Sequence, residues 1–145
     1  MAELVAAVVQ MRSTTKPEDN IASLEALVGQ AAAQGAVYVQ TPEMTGAICR
    51  DREALLASLR SAADDPVVAA ASELARRHGI YLHIGSTAIA APGGMAANRA
   101  FLFGPDGNQV ETYDKIHMFD VDLDNGESWR AVSYTHLRAH ETSLH

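Results

Sequence analysis

Two charged side chains stand where apolar, strand-like runs end. In AVYVQTPEMTG, Ala36 to Gly46, the run meets Pro42 and then delivers Glu43. In VETYDKIHMFDVD, Lys115 ends a second such run and is bracketed by Tyr113, Asp114 and Ile116. A carboxylate among apolar neighbours is costly unless it has a partner or a task, and opposite charges at two strand ends can share one rim of a sheet. The plainer reading is a surface salt bridge, which is worth little. The one cysteine, Cys49, lies six residues after Glu43 in GAICR. A thiol near a base suggests a nucleophile, but a lone cysteine in an apolar stretch is more often small packing material.

Three other clusters fit worse. Asp120, Asp122 and Asp124 alternate as in a calcium loop, yet a loop begun at Asp120 puts Asn125 at the glycine position and Ala131 at the bidentate glutamate position. It reads as a solvated acidic turn. His136 and His140 have the i, i+4 spacing of two ligands on a helix face, without the glutamate of HExxH. Gly85, Gly93 and Gly94 follow neither GxGxxG nor the Walker pattern, so no phosphate cradle is expected. No cofactor and no metal follow from these patterns.

The elements that must position Glu43 and Lys115 can be read in order. Leu4 to Met11 has the valine-rich pattern of a strand buried on both faces. From Pro17, suited to a first helical turn, Ile21, Leu24, Leu27, Val28, Ala31 and Ala32 recur at helical spacing up to Gly35. Ala36 to Thr41 is a second strand, so the chain opens on a βαβ unit that favours parallel pairing. A short helix is expected around Asp51 to Leu59. A longer one begins at Pro66, carries Val67, Val68, Ala71, Leu74 and Ala75 on one face, and stops at Gly79. Ile80 to Ile89 is a third strand and Ala91 to Asn98 a turn-rich connection. Arg99 to Phe103 and Gln109 to Tyr113 are strands joined by GPDGN, a hairpin signal. The fold class is α/β, a mixed sheet with helices on one face.

The chain has 145 residues, 48% hydrophobic and 20% charged, enough for one domain with a core. Its formal charge of −7 and the lack of a Lys and Arg run argue against nucleic acid or an anionic membrane as partner, leaving a small molecule. No run approaches the roughly 18 apolar residues that span a bilayer, and Glu3 stands where a signal peptide would be basic. The expected localisation is cytoplasmic. Residues 132–145, VSYTHLRAHETSLH, break the pattern: they have no apolar period and hold three of the six histidines, His136, His140 and His145.

VAAVVQM, YVQTPEMTG and NRAFLFGPDGNQVETYDKIHMFDVD, taken in order, resemble the amino-terminal half of a nitrilase-superfamily carbon–nitrogen hydrolase. The resemblance runs from about Leu4 to Arg130, and HMFDVD is most similar to the small amidases of the omega-amidase and Nit branch. It implies half of an α-β-β-α sandwich, a small linear amide or nitrile as substrate, and a Glu, Lys and Cys triad. Glu43 matches the glutamate, a general base that takes the thiol proton, passes one to departing ammonia and activates water. Lys115 matches the lysine that stabilises the oxyanion and keeps Glu43 ionised. Nothing matches the later strand that bears the nucleophile, and Cys49 comes too early in the order to take its role.

The chain therefore reads as a truncated hydrolase domain, residues 1–131, with a non-family, artefactual tail, 132–145, that resembles translated adapter sequence. Such a fragment is expected to be inactive alone, and half a sandwich would leave one sheet face uncovered. The intact family protein is expected to be a homo-oligomer. Two alternatives are a non-catalytic α/β binding module that kept the fold, and a metal-dependent protein using the terminal histidines.

Overall fold

A computed structural model describes residues 2–115 and the backbone of residues 121, 122, 128 and 129. Five strands form one mixed sheet in the order β1-β2-β3-β4-β5: β1 Ala6–Val8, β2 Tyr38–Gln40, β3 Tyr81–Ala91, β4 Met95–Phe103 and β5 Gln109–Asp114. The first three strands pair in parallel, and β3, β4 and β5 pair antiparallel. Val121–Asp122 (β6) and Ser128–Trp129 (β7) form a separate two-stranded ribbon. Helices α1 Pro17–Ala33 and α3 Pro66–His78 pack against each other on one side of the sheet; α2, Arg52–Ser58, buries no residue.

Local chemistry explains the helix limits. Pro17 occupies the first turn of α1, and Glu18 and Asp19 there oppose the positive end of the helix dipole. Asn20, Leu24, Val28 and Ala31 then recur on one buried stripe. Helix α3 starts at Asp65, whose side chain accepts from the backbone N–H groups of Val67 (2.9 Å) and Val68 (3.0 Å), and ends at left-handed Gly79. Replacing Asp65 with alanine is expected to cost about 1–2 kcal/mol. In a melting experiment that is a fall of about 3–6 °C in the midpoint.

Strand alternation separates two faces. The rung Ala7, Val39, Leu82, Phe103 belongs to the helix side, where Val39, Leu82, Ile84, Phe101 and Phe103 meet Leu24, Val28, Ala71 and Leu74 in the core. The next rung, Val8, Gln40, His83, Leu102, points the other way. There Val8 is 84% exposed. The described helices leave this face open.

Three sequence expectations need correction. The first strand is three residues long and lies at the sheet edge, so Val5 and Val8 are exposed rather than buried on both faces. The turn-rich connection shrinks to Pro92–Gly94, because Gly93 and Gly94 at positive φ reverse the chain at once and Met95–Asn98 already pair with Ala88–Ala91. The third strand is also not regular: one extra residue separates the rungs Ile84↔Phe101 and Thr87↔Arg99, a bulge at Gly85 and Ser86.

Candidate active site

Glu43 follows β2 and Lys115 follows β5. Because β2 runs parallel to β3, and β5 is antiparallel to β4, which is itself antiparallel to β3, the two strands end at the same edge of the sheet. They are nevertheless three inter-strand spacings apart, roughly 14 Å. The bulge closes this gap. Gly85 belongs to the open face, and a Cβ there would lie 2.3 Å from the Thr41 carbonyl oxygen and 2.7 Å from the Pro42 carbonyl. The chain after β2 therefore crosses directly over Gly85, which only glycine permits.

A set of polar residues fixes that crossing. The Met44 N–H donates to Ser86 Oγ (3.0 Å) and the Thr45 N–H to the Ser86 carbonyl (2.9 Å). Thr41 Oγ1 and Thr45 Oγ1 are 2.7 Å apart; Thr45 Oγ1 also donates to the Pro42 carbonyl (2.7 Å), and the Gly85 N–H donates to Thr41 Oγ1 (3.2 Å). Just beyond, buried Asn20 donates to the Gly46 carbonyl (2.8 Å) and holds Thr14 through both of its amide atoms. Met44 adopts φ +53°, a left-handed conformation that a non-glycine residue rarely takes. The turn that carries Glu43 is overdetermined by these bonds.

Lys115 comes from the other side. Its N–H donates to the Asn98 carbonyl (2.9 Å), extending the β4–β5 ladder by one rung. Alternation places it on the open face with Tyr113, opposite to Asp114. The Lys115 ammonium and the Glu43 carboxylate form an ion pair. Glu43 is 59% exposed and Lys115 32%, so the pair is open to solvent. Beside it, the open face carries a shallow cleft lined by His83, Ala100, Leu102, Glu111 and Tyr113. Tyr38 Oη and His83 Nδ1 approach to 2.7 Å on the same face, and burial lowers the His83 imidazole from its ordinary range and raises the Tyr38 phenol.

The structure thus brings the two sequence-selected charges together, and their arrangement offers a proton acceptor held beside a cation. Cys49 is a partly buried free thiol whose sulfur lies 3.8 Å from Ser58 Oγ. Among the described residues, no three His, Cys, Asp or Glu side chains gather as a metal-holding group. Asp120, Asp124 and the terminal histidines His136, His140 and His145 lie outside the described residues, as does the segment 132–145. Sequence reasoning missed Asn20, Thr41, Thr45, Gly85 and Ser86.

The sequence model of the carbon-nitrogen hydrolase family matches residues 5–142. This chain belongs to that family. The match extends beyond residue 131 into the segment 132–145. Among curated relatives, this chain is 33% identical to an omega-amidase of Danio rerio over 129 residues, 85% of this chain and 43% of that protein. It is 29% identical to a deaminated glutathione amidase of Synechocystis over 136 residues, 89% of this chain and 47% of the relative. The chain spans about half the length of the curated relatives it matches. Its fold resembles part of the C. elegans NitFhit protein, with a TM-score of 0.76 at 24% identity over 90% of this chain and 33% of that one. A carbon-nitrogen hydrolase from Helicobacter pylori superposes with a TM-score of 0.69 at 20% identity, covering 85% of this chain and 41% of the other.

Proposed function

We propose that Glu43 and Lys115 are the base and the oxyanion-stabilising cation of an amidase-type hydrolase acting on a small linear amide or nitrile. The observation that carries this reading is the Glu43–Lys115 ion pair, formed between two strand ends across the bulge in β3. Glu43 takes the proton of a cysteine thiol, and the thiolate attacks the amide carbon. Lys115 faces the negative oxygen of the tetrahedral intermediate. Protonated Glu43 then gives its proton to the departing amine, leaving a thioester; it next takes a proton from water, whose oxygen displaces the thiolate and releases the acid.

The nucleophile, on this reading, does not belong to this chain. Cys49 stands before Lys115 in the sequence, beyond the turn fixed by Thr45 and Gly46, with its sulfur 3.8 Å from Ser58 Oγ. The 145-residue chain alone is therefore inactive, and the active protein joins residues 1–131 to a segment that supplies the cysteine and covers the open face. A binding module that kept the fold is the second reading, supported by the solvent access of the pair. The cytoplasm, a homo-oligomeric state of the intact protein and a small amide or nitrile as its ligand belong to the same proposal.

Ammonia release from a panel of small linear amides and nitriles tests it. No turnover is expected from the 145-residue chain, and turnover is expected from a longer gene product that carries residues 1–131 and a later cysteine strand. Turnover by the short chain that disappears in Cys49→Ala would overturn the assignment. A longer product that binds amides without hydrolysing them would favour the binding module.

A further inference from the structure

We propose that Arg99 and Asp114 are positioning residues for Lys115: a two-point ion pair on the helix side of the sheet that fixes where the lysine leaves the opposite face. The inference rests on the role proposed for Lys115. Arg99 and Asp114 form the last β4–β5 rung before Lys115. Arg99 Nε donates to Asp114 Oδ1 (2.5 Å) and Nη2 to Oδ2 (3.0 Å), a bidentate fork that sets both distance and orientation. Asp114 is buried, at 7% exposed, and the Arg99 side chain only a quarter exposed. A pair so withdrawn from water holds its geometry far better than an ion pair on the surface.

The placement gives the pair leverage. Strand alternation sends Asp114 to the helix side and its neighbour Lys115 to the open face, so clamping the first sets the pivot of the second. The same row continues from Arg99 to Thr87 on β3, adjacent to Ser86, which holds the turn carrying Glu43. One cross-strand row thus connects the anchor of the base to the anchor of the cation. Glu43–Lys115, being partly exposed, has little energy of its own with which to select this geometry.

Lys16 and Lys115 are the only lysines in the sequence, and Lys16 is exposed, so trace acetylation read by peptide mass spectrometry carries its own control. In the 145-residue chain, Glu43→Gln is expected to raise Lys115 labelling relative to Lys16 by about two- to fivefold, the scale of one partly exposed ion pair. Arg99→Met and Asp114→Asn are each expected to raise the same ratio towards that value. Asp65→Ala, which removes the α3 N-cap and leaves Arg99 and Asp114 in place, is expected to leave it unchanged. Should Arg99→Met fail to fold, the isosteric Asp114→Asn gives the same readout. An unchanged ratio in a folded Asp114→Asn chain, or an equal rise in Asp65→Ala, would overturn the positioning role while leaving the Glu43–Lys115 pair intact. An unchanged ratio in Glu43→Gln would instead remove the ion pair itself, and the inference with it.

Discussion

Glu43→Gln is expected to reduce amide turnover by about 10²- to 10⁴-fold in a longer protein that contains this chain and the nucleophile, the range for losing a positioned general base. The glutamine keeps the shape of the side chain but cannot take a proton from a thiol. Because Glu43 is 59% exposed, the thermal midpoint should shift by no more than a few degrees. That combination separates chemistry from folding. Steady-state kinetics alongside a melting curve measures both, and a variant with nearly full kcat would show that Glu43 is only half of a surface salt bridge.

Gly85→Ala is expected to have the largest effect on stability. The added Cβ would stand 2.3 Å from the Thr41 oxygen and 2.7 Å from Pro42, both backbone contacts with no flexible end to move aside. Either the bulge or the Glu43 turn must shift, and the bonds from Ser86 to Met44 and Thr45 go with it. Overpacking of this kind costs about 3 kcal/mol or more, a fall on the order of 10 °C for a chain of this size. Gly29→Ala is the contrast, since nothing lies within 4 Å of its added carbon and a helix interior favours alanine. An unshifted midpoint for Gly85→Ala would show that the turn does not need the crossing over β3.

The helices were legible because their signals are local: Pro17 and Pro66 open them, Gly79 closes one, and the apolar stripes repeat at helical spacing. The GPDGN hairpin was legible for the same reason, with Gly107 at φ +83°. Glu43 and Lys115 could be picked out as charges at strand ends and by family resemblance, and the structure pairs them. The bulge could not. It exists because a backbone segment 44 residues earlier lies against Gly85, and a contact at that separation imprints no period on the sequence. The polar anchors Asn20, Thr41, Thr45 and Ser86 share this character, each an ordinary residue until its distant partner is known. The edge strand misled for another reason: alanine and valine read as buried, whereas the described helices cover only one side of the sheet.

Rapid acid quench followed by peptide mass spectrometry, with a small linear amide as substrate, tests most directly whether Glu43 and Lys115 serve a nucleophile beyond this chain. The expected result is a 145-residue chain with no acyl adduct and an unmodified Cys49, and a longer protein acylated on a different cysteine downstream of Lys115. An acyl group on Cys49 of the short chain, with release of one ammonia for each adduct formed, would contradict it.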